Sequence, residues 1–408
     1  MIRQWEEMSE RETLMNVNRI RAALVLSVVA ASLGTASAFP PPVTSLLLKT
    51  IQSVSAEGKG NEAARKAVEL LSASSVEKLP DILAGFDQAS PLAANYLRAV
   101  VETIVDRQLA DRKKLPVGQL EQVVKDAQRD PRARRLAYEV LLRVDKSAED
   151  RIIPGMLLDS SPEFRRDAVA RLIKQAEQKG PAKDEAIALN RKALSGATDE
   201  DQVKKIARAL KKLGETVNLV EHFGFLTSWK IVGPFDNRDF IGFKKTYPPE
   251  EMIDLSAKLE GQKGDVTWGD ISTEHEFGIV DIAKSIAPHK GAVMYLTTEF
   301  NAKAARDVEF RFGTPNAWKL WVNGKLLFGR DEYHRGMAID QYSVPAKLKA
   351  GRNVILLKLC QNEQEDSWAQ RYQIQLRICD STGIAVKTVA ANGEGQSGRK
   401  VAATGGQD

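Results

Sequence analysis

Cysteine, histidine and aromatic residues are scarce in this chain. There are two cysteines, four histidines and 6% Phe, Trp and Tyr among 408 residues. So few thiols exclude a disulfide-stapled scaffold and a cysteine-built zinc site. The histidines, His222, His275, His289 and His334, show neither His-Glu-x-x-His nor any other metal-ligand spacing. Glu274-His275-Glu276 is no exception, because successive residues of an extended chain point to opposite faces. No Gly-x-Ser-x-Gly elbow, phosphate-binding loop or dinucleotide fingerprint occurs. Neither sign of charge dominates: 59 Lys and Arg against 54 Asp and Glu leave +5, too thin an excess for a nucleic-acid surface. No apolar run reaches the ~20 residues of a membrane-spanning helix.

What is present divides the chain. With 43% hydrophobic and 28% charged residues it has the composition of a globular protein, and at 408 residues two domains are the default. Arg19 and Arg21 precede an apolar run from Ala22 to Leu33. Small residues follow, with Ala36 and Ala38 fitting an Ala-x-Ala cleavage site before Phe39. This pattern predicts a signal peptide over residues 1–38 and an exported protein, periplasmic or extracellular, with no membrane span after cleavage. The acids Glu6, Glu7, Glu10 and Glu12 sit oddly in such a segment, so the start lies at Met1 or at Met15. Beyond 386 the chain becomes rich in Gly, Ser, Asn and Gln, and residues 387–408 are expected to be disordered.

Residues 39–215 carry helical signals. Pro91, Pro131 and Pro162 each precede apolar residues at six and ten positions on: Leu97 and Val101, Ala137 and Leu141, Ala168 and Leu172. Proline suits the first helical position because its missing N–H has no partner there, and Asp130 and Ser161 are natural N-caps. Arg134-Arg135 and Arg165-Arg166 repeat the same offset from their prolines. Gly118–Ala127 and Asp150–Leu158 supply intervening helices, and Asp201–Leu213 ends at Gly214, a natural C′ residue. The spacing resembles HEAT-type helix pairs, which predicts an α-solenoid; an irregular helical bundle is the alternative.

After a linker at 216–225 the period becomes two. Val293–Phe300, Val308–Phe312, Lys319–Val322, Val354–Cys360 and Tyr372–Ile378 read as strands. Asn323-Gly324 joins Trp321-Val322 to Lys325–Phe328, and both residues tolerate the positive φ of a type I′ hairpin. Many short strands without intervening helices predict a β-sandwich over 226–386, so the fold class is α+β in separate domains. Pairing the last two strands as a hairpin sets Cys360 and Cys379 roughly 20 Å apart at ~3.3 Å per residue, so both are expected as free, partly buried thiols.

Trp229-x-x-x-Gly233-Pro234-Phe235-Asp236-Asn237, Tyr247-Pro248-Pro249-Glu250, Trp321-x-Asn323-Gly324-Lys325 and Leu348-Lys-Ala-Gly351-x-Asn353 resemble the motifs of an exported bacterial module. That module is similar to galactose-binding-like jelly rolls and to the sugar-binding domains appended to glycoside hydrolases. The resemblance spans residues 226–383 and implies a jelly roll that binds carbohydrate, a glycan or cell-envelope polysaccharide. It also implies a structural calcium ion as an option, with Glu299 and Asp380 as contributors; no other cofactor is expected.

Alternation puts Trp318, Leu320 and Val322 on the core face and Lys319, Trp321 and Asn323 on the other. An exposed Trp beside Asn, Arg and Tyr suits a pyranose, whose C–H face packs on the ring while its hydroxyls meet fixed polar groups. The candidate ligand residues are therefore Trp321, Asn323, Arg330, Tyr333 and Arg335, with His334 in the same loop and Trp368 as a second platform. The competing structural reading has Trp321 packed beneath that loop and Arg330 paired with an acid. Functionally, an exported, non-catalytic binding protein is expected, its helices a scaffold for a protein partner and its sandwich a carbohydrate binder. A structural protein whose sandwich contacts another protein is the alternative, and a glycan-active enzyme the third reading.

Overall fold

A computed structural model describes residues 43–178 and 182–389. The expected signal peptide and most of the expected tail lie outside the described residues. Two compact units divide between Asp106 and Arg107.

The first unit contains helices α1 (Val43–Gln52), α2 (Asn61–Ser72) and α3 (Leu79–Ala84) and the start of α4 (Pro91–Ala110). Ile51, Ala64, Leu71, Leu79, Ile82 and Leu97 are fully buried. Gly85 sits against Leu48 and Leu97, and a Cβ there would meet the Leu48 side chain at 2.8 Å.

The second unit continues with α5 (Val117–Lys125), α6 (Pro131–Val144), α7 (Ala148–Ile152), α8 (Pro162–Glu177), α9 (Lys183–Gly196), α10 (Glu200–Lys212) and α11 (Leu219–Phe223). Helices α6 and α8 start at the expected prolines. Asp130 accepts from the Arg132 amide at 2.8 Å, and Ser161 from Phe164 at 3.5 Å. The two Arg-Arg copies share one layout, the first arginine buried and the second reaching outward. Arg134 and Arg165 are buried: the first donates to Val124 O and bidentately to Asp159, the second to Asp159 O. Their neighbours reach outward, Arg135 to Asp167 in α8 and Arg166 to Asp199 and Asp201 around the start of α10. Each copy thus ties its helix to a later one.

Twelve strands follow: β1 (Ser228–Asp236), β2 (Lys258–Gly261), β3 (Gly264–Thr267), β4 (Gly269–Ser272), β5 (Val280–Asp281), β6 (Ala292–Ala302), β7 (Arg306–Gly313), β8 (Ala317–Val322), β9 (Lys325–Arg330), β10 (Tyr342–Leu348), β11 (Gly351–Gln361) and β12 (Gln373–Cys379). Three short helices, α12 (Ile241–Lys244), α13 (Pro248–Glu251) and α14 (Ile282–Ser285), interrupt them. A six-stranded antiparallel sheet runs β4-β1-β6-β11-β8-β9 and a four-stranded one β10-β7-β12-β5, with β2 and β3 a separate hairpin. The described residues are therefore helical first and antiparallel sheet second, and among them no sheet closes into a barrel. Between the sheets lies a core that includes Trp229, Ile231, Met294, Leu296, Phe310, Phe312, Trp318, Leu320, Ile355, Leu357, Leu376 and Ile378. Burying each such side chain contributes roughly 1.5–3 kcal/mol, and alternation along the strands selects them.

The expected hairpin at Asn323-Gly324 is present: Val322 pairs with Lys325, and φ is 52° at Asn323 and 78° at Gly324. The expected pairing of the last two strands is not. From β9 onward consecutive strands alternate between sheets, so β11 pairs with β6 and β8 while β12 pairs with β7 and β5. Cys360 and Cys379 are free and buried, but they are kept apart by lying in different sheets.

The stretch expected as a linker, 216–225, includes α11, and Phe225 bridges to Arg377 in β12. Arg377 is 1% exposed; it donates to Asp340 Oδ1 at 2.7 Å and to Gly383 O at 2.9 Å, and its guanidinium lies over the Phe223 ring. Phe277 and Ile339 pack on the same apolar cluster as Val203, Ile206 and Phe223, so α10 and α11 share a core with sandwich loops.

Candidate functional site

The outer face of the six-stranded sheet carries the site. One cross-strand row runs from Asp270 through Lys230, Thr297 and Leu356 to Trp321, joining β4, β1, β6, β11 and β8. These residues are brought side by side by strand pairing, because residues opposite each other in antiparallel strands have neighbouring Cβ atoms. They floor a cleft of about 890 Å³, within the size range of small-molecule sites. The segment from Pro249 to Leu255 forms one wall, and Met252 and Leu255 stand there 71% and 49% exposed.

Most charged groups around the cleft are paired. Lys230 meets Asp270 at 2.7 Å and Arg352 meets Glu299 at 2.6 Å, both at the solvent edge. The Arg352 guanidinium holds the Glu299 carboxyl below its ordinary range. Beside the floor row sits a buried cluster. Lys358, with no side-chain exposure, donates to Glu250 Oε1 at 2.6 Å, to Lys245 O at 2.7 Å and to Phe243 O at 3.5 Å. Tyr295 donates to the same Glu250 oxygen. The rings of Tyr247 and Tyr295 lie 5.4 and 5.7 Å from the ammonium. Burial lowers the Lys358 pKa against the pull of Glu250, and burial together with Glu250 raises that of the Tyr295 phenol. Glu250 itself is 9% exposed at its side chain and lines the cleft.

Trp321 lies on the outer face, as alternation predicts, but it is only 6% exposed and packs with Val232, Tyr295, Leu356 and Cys360. It offers the cleft a strip of its ring, and the freely exposed apolar surface comes from Met252 and Leu255. Asn323 also lines the cleft; its side chain donates to Asn353 Oδ1 at 2.9 Å and accepts from the Val354 amide at 3.0 Å. The other candidates lie elsewhere. Arg330 and Arg335 both pair with Glu332, at 3.9 and 3.4 Å. Tyr333 accepts from Asn237 through its hydroxyl and stacks edge-on against Phe240. Trp368, 60% exposed, meets His334 edge-on at 5.1 Å. So Trp321 and Asn323 share one site, while Arg330, Tyr333, Arg335 and Trp368 do not line it.

Glu299 and Asp380 do not fit a shared calcium site. Glu299 is paired with Arg352, and Asp380 Oδ1 accepts from Thr382 and Ile384 within its own turn. Among the described residues no group of three or more His, Cys, Asp or Glu is placed to hold a metal ion.

Glu250, Lys358, Arg352 and Lys230 were not identified as site residues from sequence. One signal was readable: Lys358 is a lone charge in the apolar run Val354–Cys360, and a buried cation requires a partner. Its partner, 108 residues away, was not.

No family model and no curated protein matches this chain. Among solved structures, the chain is similar to a beta-glucosidase from Kluyveromyces marxianus at 11% identity, over 74% of this chain and 38% of that one, with a TM-score of 0.25. The same enzyme in complex with glucose gives 10% identity, the same shares and a TM-score of 0.26. A GH31 alpha-xylosidase from Xanthomonas citri gives 12% identity over 38% of this chain and 16% of that one, with a TM-score of 0.18. This chain spans well under half the length of either enzyme. All are sugar-cleaving enzymes, which runs against the expectation of a non-catalytic binding or structural protein, and that expectation is withdrawn.

Proposed function

We propose that this chain is a glycan-active protein and that its carbohydrate site is the cleft on the outer face of the six-stranded sheet. The observation that carries the reading is the composition of that cleft. An apolar strip from Trp321, Leu356, Met252 and Leu255 faces polar groups already held in place by ion pairs. A pyranose needs this combination: apolar surface for its C–H face and preorganised acceptors and donors for its hydroxyls. Export, read from Arg19 to Ala38, belongs to the same proposal, since extracellular glycans are then within reach. So does the HEAT-like reading of the helices, supported by Arg135 and Arg166, each of which reaches from its helix to the region of a later one.

The test is to incubate the whole chain with a panel of oligosaccharides and chromogenic glycosides, reading both retention and product release. The expected result is engagement of at least one glycan class, abolished by Met252→Asp, a change at an exposed position that leaves the fold intact. Absence of both retention and release across the panel refutes the proposal, as does full activity of Met252→Asp together with Leu255→Asp.

A further inference from the structure

We propose that Glu250 is the specificity-determining acceptor of this cleft and that it selects neutral glycans over anionic ones. The inference rests on the carbohydrate reading of the site. Glu250 stands on α13, where Pro248 and Pro249 open the turn and the chain leaves for the cleft wall. Its Oε1 takes both internal donors, the Lys358 ammonium at 2.6 Å and the Tyr295 hydroxyl. Among the described residues Oε2 receives no hydrogen bond, and Glu250 lines the cleft. A side chain nine-tenths buried therefore has one oxygen locked inward and one left for whatever enters the cleft.

A carboxylate oxygen accepts only, so it takes hydrogen bonds from hydroxyl groups and repels another carboxylate. The nearby charges largely balance, so the choice rests on the acceptor itself. The cleft is lined by Glu250, Glu251, Asp270 and Glu299 against Lys230, Lys349 and Arg352. Lys230 and Arg352 are each engaged by an acid, and Lys358 is enclosed beneath Glu250. Uronic or sialic acids would set a carboxylate, itself an acceptor without a proton to give, against the acceptor oxygen of Glu250. A neutral hexose or pentose unit presents hydroxyls to Oε2 and its C–H face to Trp321 and Leu356.

The experiment compares the whole chain with the double variant Glu250→Gln/Lys358→Met, in titrations with matched neutral and uronic-acid oligosaccharides. Changing both members removes the buried pair as a unit, and an unchanged melting temperature verifies the fold; if the double variant unfolds, Glu250→Gln/Lys358→Gln takes its place. The expected result is binding of neutral oligosaccharides by the unaltered chain, rejection of the uronic series, and a loss of roughly tenfold or more in affinity for the variant. Unchanged neutral-glycan affinity in the variant, or equal affinity for the uronic series, overturns the role of Glu250 and leaves the cleft reading standing. Failure of the unaltered chain to take any glycan overturns both.

Discussion

Lys358 and Glu250 form an ion pair with 0% and 9% side-chain exposure, and their energetics are a test of how dry the sheet's outer face is. At the observed 2.6 Å, two unit charges attract by about 6 kcal/mol in an effective dielectric of about 20. Removing each ion from water costs several kcal/mol, so the pair nets close to zero. The asymmetry appears when one member goes. Lys358→Met leaves the Glu250 carboxylate with Tyr295 as its internal donor and strips the Lys245 carbonyl of a partner. Glu250→Gln leaves an enclosed ammonium with neutral acceptors and aromatic faces and no counter-charge. Each single change should cost about 3–5 kcal/mol, while the double change should be near neutral. Denaturant unfolding followed by tryptophan fluorescence gives the three values, provided the slopes agree. The coupling between the two positions should be of the same order as either single loss. Singles below about 1 kcal/mol that simply add would refute the reasoning, since water would then have to reach both charges.

The Asn323-Gly324 hairpin offers a cleaner backbone test. Nothing lies within 4 Å of a Cβ built at Gly324, so Gly324→Val costs only the strain of φ 78°, about 1–3 kcal/mol, and Lys325→Ala under about 0.5; an unchanged unfolding midpoint in Gly324→Val would contradict the turn. Arg134→Ala, which leaves Asp159 buried without its bidentate partner, should cost about 3–5 kcal/mol in the same assay, against ~0–1 for Arg132→Ala at the surface. Burial holds the His222 imidazole below its ordinary 6.5 despite its contact with the Ala197 carbonyl. The unfolded chain therefore takes up a proton first as pH falls below 6.5, and stability contributed by neutral His222 is present above that pH and lost below it, down to the folded value. His222→Gln should flatten the melting-temperature profile in that window, and parallel profiles would count against it. Burial also pushes the Cys360 thiol up to about 12 and Cys379 to about 11, so neither should react with an aromatic disulfide reagent at pH 8 until the protein is denatured, when both should.

Local patterns in the chain were enough for many of its elements, though not for the helix Leu219–Phe223 inside the expected linker. The prolines at 131 and 162 open helices because proline suits a position that needs no donor, and that chemistry reaches no further than one turn. The alternation of Trp318 to Asn323 sorts core from outer face for the same reason: side chains of a strand point to opposite sides whatever the strand pairs with. Asn323 and Gly324 carry their turn in their own backbone preferences. Partnership between distant strands is another matter. Proximity in sequence suggested that β11 and β12 pair with each other, yet burying two apolar faces against one another required successive strands to alternate sheets. The floor row of Asp270, Lys230, Thr297, Leu356 and Trp321 exists only once that order is set, so no spacing along the chain encodes it. The same holds for Lys358: a cation in an apolar strand announces that a counter-charge must exist, but solvation energy names no address for it. Only folding brought Glu250 over that ammonium, and with it the wall of the cleft.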